Sequence, residues 1–396
     1  MATIRAGLTA AVRRRTFRDR GRPRTSRLPT TTWLDIDMKA AVCRAFKEPL
    51  SIEQVHLAEP GAGEVKVRIA ACAICHSDIL FAEGAWGGEL PAVPGHEAAG
   101  IVEEVGAGVW QVEPGDHVVV TLLRSCGHCH FCARSESPLC ETRLPLDLRS
   151  PLSTPDGSPI RQGLRTAGFA EKVVVHASQV ARIPRAVPLE SAALLACGVI
   201  TGLCAVLNTA AMRPGGHVVT IGTGGVGLNC VQGAAIGGAG TNIAVDLSDR
   251  KLAAARTLGA SHAINPSRED PDTVVRSLTN GRGADYVFVA VGSAAAIEQG
   301  VRLLRRGGTL VVVGMTAEGV QVRLDALDIA DKALRILGSK VGSVRMPLDV
   351  QMLADWYLQG RLKLDELISA RYPLEQINEA IASAAGGEAL RNVITF

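Results

Sequence analysis

Several things are missing from this sequence, and each absence closes a class of reading. The N-terminal segment is rich in arginine but has no apolar h-region, so no secretory signal is visible. There is no internal repeat and no long low-complexity tract, which argues against a solenoid or a linker-like chain. An excess of positive charge is missing where nucleic acid would need it. The formal net charge is +3, yet residues 1–37 carry nine arginines against Asp19, Asp35 and Asp37. That appendage holds +6, which leaves −3 for the remainder, and a weakly acidic body gives no reason to expect a nucleic-acid partner. Charge is absent altogether from Ser191 to Met212, a stretch long enough to span a bilayer. It contains Cys197, Gly198, Thr201, Gly202, Cys204 and Asn208 and is rich in alanine, so a buried helix at a domain junction is the better reading, and no membrane is expected. Lysine is scarce, with eight residues against 34 arginines, a usage typical of GC-rich bacterial coding. Residues 1–37 could be a start assigned too early, a disordered basic tail or an organellar transit peptide. The arginine usage favours the first two and a cytoplasmic protein.

What is present fits an α/β enzyme. The 396 residues exceed one ordinary core, 47% are hydrophobic, and 42 glycines suit many tight strand-to-helix turns. A fresh pattern starts at Met38. Up to about Ser125, short β-rich runs such as Glu64–Ala71, Gly100–Val105 and His117–Leu122 point to an irregular β domain. From Val199 the rhythm alternates, with buried parallel strands expected at Val218–Gly222, Thr241–Asp246, Tyr286–Val291 and Thr309–Gly314. The expected division is therefore a catalytic domain over residues 38–198, a doubly wound parallel (Rossmann) domain over 199–340, and a return of 341–396 to the first domain.

Ten cysteines without a secretory signal argue for metal or reactive thiols. Cys126-x2-Cys129-x2-Cys132-x7-Cys140 is the strongest signal. Four thiolates can enclose one zinc ion tetrahedrally and leave no open position, so a zinc held here is expected to be structural. An iron–sulfur cluster also uses four cysteines. His128 and His130 fall inside the lobe and are expected to face solvent. A second set is dispersed: Cys75, His96 and Cys197. Two thiolates and one imidazole would leave a fourth position open, as catalytic zinc requires.

Four motifs stand in order: Gly95-His96-Glu97-Ala98-Ala99-Gly100 followed by Val105-Gly106, the cysteine lobe, Cys197-Gly198-Val199-Ile200-Thr201-Gly202, and Gly222-Thr223-Gly224-Gly225-Val226-Gly227. On these, residues 38–396 resemble the zinc-dependent, NAD-linked medium-chain alcohol dehydrogenases, which implies a GroES-like β-rich catalytic domain joined to a Rossmann domain. The resemblance implies catalytic zinc on Cys75, His96 and Cys197, with structural zinc in the lobe. It makes Asp78 and Glu97 supporting groups behind the ligands.

The glycine motif also stands on physical grounds. It follows the apolar run Val218–Ile221 and precedes an expected helix, Val226–Ala235. Gly222, Gly224, Gly225 and Gly227 with Val226 let backbone N–H groups approach a pyrophosphate at the helix N-terminus. Asp246, 19 residues after Gly227, can accept ribose hydroxyls and repel a 2′-phosphate, which favours NAD over NADP. The bland alternative for Asp246 is a helix cap beside Ser248 and Asp249. The resemblance adds Lys251 near the adenosine ribose, and Thr201, His76 and Arg391 near nicotinamide or phosphates.

The implied reaction is hydride exchange between a primary or secondary alcohol, or an aldehyde, and NAD, with a zinc-polarised hydroxyl whose proton Ser77 accepts. Many relatives carry a histidine three residues after that hydroxyl residue to finish a proton relay. This chain has Leu80, so the proton must leave through water or another group such as His76. By position, Trp86 and Leu122 are expected to line the substrate cleft, with Met315 from the other domain, and an apolar lining suits an uncharged substrate. Relatives that oxidise the formaldehyde–glutathione adduct have an acidic residue in place of Trp86. That oxidation remains the alternative activity, and a zinc-stabilised nucleotide-binding scaffold the alternative outside enzymes. A dimer or tetramer is expected by resemblance.

Overall fold

A computed structural model describes residues 36–387 and 389–396. The arginine-rich appendage lies outside the described residues except at its end. There a first strand, Ile36–Val42, starts two residues ahead of Met38.

Two sheets are built mainly from short, mostly antiparallel strands. One runs, in spatial order, Ile36–Val42, Ser51–Leu57, Leu152–Ser153, Pro159–Gln162 and Ala92–Val93. The other runs Val180–Arg182, His117–Val120, Glu97–Val105, Glu64–Ala73, Arg391–Thr395 and Ile368–Pro373, with Lys172–His176 also paired to Glu64–Ala73. The chain end is thereby brought back: Val393 lies opposite Ala73, and the Arg391 guanidinium donates to the Ile74 carbonyl at 3.2 Å.

The third sheet is wholly parallel. Its strands in chain order are His217–Ile221, Thr241–Val245, His262–Ile264, Ala284–Val289, Leu304–Val312 and Arg335–Gly338. They lie side by side as third, second, first, fourth, fifth and sixth, the doubly wound arrangement whose first strand leads into a phosphate-binding turn. Neighbouring residues Val218 and Val219, Val287 and Phe288, and Leu310 and Val311 are all buried, because both faces of the sheet are covered. The four continuous apolar runs mark four of these strands. The two short ones at the edges, His262–Ile264 and Arg335–Gly338, have no such run and the sequence pattern does not reveal them.

The charge-free stretch folds as two pieces, Leu189–Ala196 and Gly198–Thr209, which meet at 55° across Cys197. No single helix among the described residues is long and apolar enough to cross a membrane. Leu194, Leu195, Ile200 and Leu203 are fully buried, so this apolar run fills a protein core.

Candidate active site

Asp78 organises the first ligand cluster. It belongs to the short helix His76–Ala82 that follows strand Glu64–Ala73, and it is buried. Its Oδ2 accepts the Cys75 backbone N–H at 3.1 Å. Its Oδ1 accepts the Gly95 N–H at 3.0 Å and lies 2.8 Å from His96 Nδ1. One carboxylate thus ties Cys75 to His96 and leaves the His96 Nε2, buried and without a hydrogen-bond partner, free to ligate. The turn before His96 needs glycine, since Gly95 has φ +94° and an added Cβ would lie 2.5 Å from the Phe169 nitrogen. Cys197 comes from the kink in the apolar helix pair, where φ −146° and ψ −68° break the helix. The Thr121 hydroxyl holds that kink by donating to the Ala196 carbonyl at 2.7 Å.

Glu97 lies beside the candidate ligand atoms. One atom each from Cys75, His96, Glu97 and Cys197 lie within 4.8 Å of one another. Glu97 is fully buried, neither carboxylate oxygen has a hydrogen-bond partner, and Arg391 faces it across 3.3 Å. Burial pushes its carboxyl up to about 8, against the pull of the Arg391 charge. The thiols are tied together: Cys75 is held low by the bond from Cys197, and Cys197 is held high by the same contact. At His96 burial opposes the charged ring, but Asp78 and Cys75 outweigh it and raise the imidazole. Buried polar atoms left unpaired are costly. A fully buried imidazole nitrogen and a buried carboxylate beside two thiols form a donor set that suits zinc.

The second cluster, Cys126, Cys129, Cys132 and Cys140, is half-exposed, and its sulfurs also lie within 4.8 Å of one another. Cys126 and Cys132 are 4.0 Å apart, and Cys129 and Cys140 3.9 Å. A tetrahedron of thiolates with bonds of about 2.3 Å has edges of about 3.8 Å, so the spacing suits a single ion. Cys129 donates its backbone N–H to Cys126 Sγ at 3.3 Å, and Cys126 donates its own to Cys140 Sγ at 3.4 Å. The Thr142 hydroxyl donates to Cys126 Sγ at 3.2 Å and is the main cause that lowers this thiol to about 5. Burial lifts Cys132 to about 12. His128 and His130 are exposed, as expected. Thr142 was not singled out by the sequence, because one hydroxyl two residues past the last cysteine carries no pattern.

The glycine turn closes on itself. Gly222 has φ +85°, and a Cβ on Gly227 would sit 1.8 Å from the Gly222 carbonyl oxygen. Beside Gly224 the space is open. The helix beyond is Gly225–Ile236. Asp246, just past strand Thr241–Val245, reaches back to this turn: its Oδ2 accepts the Thr223 backbone N–H at 2.7 Å and the Thr223 hydroxyl at 3.1 Å. Its Oδ1 accepts the Ser248 N–H at 2.9 Å. Thr223 is fully buried and is the second residue that sequence reasoning missed, since it occupies a variable position of the motif. Ser248, not Asp246, caps the helix Asp249–Thr257, and Lys251 lies in its first turn, half-buried.

Arg391 stands between the two regions. A Cβ built on Gly198 would come 1.7 Å from its guanidinium, and one on Gly225 2.3 Å. The same side chain that faces Glu97 therefore lies at the start of the helix Gly225–Ile236. Thr201 is buried with its hydroxyl 3.9 Å from Cys197 Sγ. Along His76–Ala82, His76 is exposed, and Ser77 and Leu80 are half-buried. Trp86 and Leu122 are half-buried, while Met315 is 67% exposed, on the segment after Leu304–Val312. Two cavities, of about 290 and 140 Å³, have several arginines in their linings and include no residue of either cluster.

The comparisons agree with this geometry. Residues 61–185 match the family described as the alcohol dehydrogenase GroES-like domain, and residues 225–358 match the zinc-binding dehydrogenase family. The chain is 34% identical over 374 residues to an alcohol dehydrogenase class-3 of Cereibacter sphaeroides, covering 90% of this chain and 99% of that one. Among solved structures it is similar to an alcohol dehydrogenase zinc-binding domain protein from Burkholderia ambifaria (TM-score 0.88, 35% identity, 91% and 99% covered). It is also similar to a benzyl alcohol dehydrogenase from Acinetobacter calcoaceticus (TM-score 0.86, 29% identity, 91% and 99% covered). The chain belongs to the zinc-dependent medium-chain alcohol dehydrogenases.

Proposed function

We propose that the chain exchanges a hydride between an uncharged alcohol or aldehyde and NAD, with one catalytic and one structural zinc ion. The observation that carries this reading is the convergence of Cys75, His96, Glu97 and Cys197 in one buried cluster, linked through Arg391 to a glycine turn that is hydrogen-bonded to Asp246.

When bound, zinc supplies Lewis acidity that lowers an alcohol's pKa, and nicotinamide supplies the hydride acceptor. The remaining work falls to the chain's own side chains. Asp78 holds the His96 ring by Nδ1, so that Nε2 would be the atom to hold the ion. Glu97, paired with Arg391, would supply a further carboxylate oxygen beside the three ligands. Ser77 accepts the hydroxyl proton, and because Leu80 cannot carry it onward the exit is water or the exposed His76. Gly224 leaves room for the coenzyme pyrophosphate, while Arg391 adds positive charge at the start of Gly225–Ile236. Asp246 accepts the adenosine ribose hydroxyls and repels a 2′-phosphate.

The half-buried Trp86 and Leu122 support an apolar substrate. The alternative is the formaldehyde–glutathione adduct, and the similarity to proteins named class-3 alcohol dehydrogenases keeps it open. We further propose that copies of the chain associate as a dimer or tetramer. All ten cysteines are unpaired, which suits the cytoplasm. The deciding experiment is a panel of alcohols and aldehydes followed by NADH absorbance, with and without glutathione. Turnover without glutathione supports the main reading. Strict dependence on glutathione supports the alternative, and silence across the panel from zinc-replete protein would sink both.

A further inference from the structure

Asp246 is nearly saturated before any coenzyme arrives. An ionised carboxylate has about four lone-pair sites. Two on Oδ2 are taken by the Thr223 N–H and hydroxyl, and one on Oδ1 by the Ser248 N–H. One site is left, and a ribose diol brings two donors. We propose that the Thr223 hydroxyl is a competing donor, displaced from Asp246 when the adenosine ribose binds, so that this side chain limits coenzyme affinity. The inference rests on reading Asp246 as the ribose acceptor.

The two backbone donors cannot give way, because one belongs to the glycine turn and the other to Ser248, which caps the helix Asp249–Thr257. The threonine hydroxyl can leave by a single χ1 rotation. Thr223 is fully buried, so no solvent waits to receive the displaced hydroxyl, and its lost bond counts against the coenzyme. Thr223 is thus a positioning residue that acts through Asp246, and the sign of its effect is unusual: removing it should tighten binding.

The test is NADH affinity by fluorescence titration for Thr223→Val, which keeps the volume and removes the donor, and for Thr223→Ser, which keeps the donor. Each is measured with NADH and with analogues lacking either adenosine-ribose hydroxyl. Thr223→Val should bind NADH at least threefold more tightly, and Thr223→Ser should stay within twofold of the wild type. With either deoxy analogue the advantage of valine should vanish, since one hydroxyl fits the free site without displacing anything. Thr223→Ala, also lacking the donor, should shift the same way and covers a poorly folded valine variant. Unchanged or weaker NADH binding in both donor-free variants, or a gain that persists with the deoxy analogues, would overturn the proposal. Asp246→Ala separates the two readings. If it leaves NADH affinity and the preference over NADPH intact, the ribose reading has failed; if it weakens NADH while valine gives no gain, only the Thr223 proposal has.

Discussion

Cys126, Cys129, Cys132 and Cys140 come from one loop, whereas Cys75, His96, Glu97 and Cys197 are scattered along residues 75–197 and meet only in the fold. The loop ligands are half-exposed and held by one another's N–H groups and by Thr142. The scattered ligands are buried and held from outside the cluster, by Asp78 on two sides and by the Thr121 bond at the kink. A loop of thiols has no scaffold of its own, so its shape depends on the ion that closes it. The buried cluster is shaped by sheets and helices that stand without it. On the proposed reading, two clusters of four candidate ligands would do unequal jobs.

The sharpest break of that comparison is Cys197→Ser against Cys129→Ser. Losing a Lewis acid worth several kcal/mol should lower kcat by about 10³-fold or more in Cys197→Ser, while its thermal midpoint stays within a few degrees of wild type. Steady-state kinetics beside a melting curve decides it, and turnover above a tenth of wild type would remove Cys197 from the active cluster. Cys129→Ser should do the reverse, losing one zinc per chain by elemental analysis and about 10 °C of thermal midpoint, since each kcal/mol moves a domain of this size by about 2–4 °C. An unchanged melt with one zinc missing would mean that the lobe is not structural.

Asp78→Asn probes how far the scaffold sets the buried cluster. It keeps the shape but loses the carboxylate that receives Cys75, Gly95 and His96. Partners of this kind are typically worth about 10–100-fold in metal affinity or activity. A competition titration against a zinc chelator should show that loss at one site only, and an equal loss at both would erase the distinction.

The smallest effect is expected at Leu80. A buried cluster needs a proton exit, which an exposed lobe does not, and Leu80→His would supply one. A neutral imidazole accepts protons, so the gain in kcat/KM for alcohol oxidation should be largest just below pH 7. It should fade under about pH 6, as the imidazole itself becomes protonated. The pH profile of kcat/KM is the readout, and a mutant no better than wild type at any pH would assign Leu80 to packing alone.

The same contrast separates the features that local sequence makes legible from those it hides. The lobe is readable outright because its spacing is its geometry. The four interior strands are readable because burial on both faces makes them continuous apolar runs. The edge strands His262–Ile264 and Arg335–Gly338 are not, since a short strand with one open side has no such pattern. Thr223 and Thr142 escape for a related reason: a hydroxyl acquires meaning only from the carboxylate or thiol that folding sets beside it.

By itself the sequence pointed to the candidate ligand types, the lobe, the parallel domain and the charge just past its second strand, because each is a matter of local spacing or of periodic burial. Only the tertiary structure decided that Glu97 lies beside the candidate ligand atoms, that Arg391 connects them to the glycine turn, and that Asp246 is already hydrogen-bonded three times. Those facts depend on residues far apart in the chain, brought together by sheet pairing and by a kink at Cys197 that no local pattern announces.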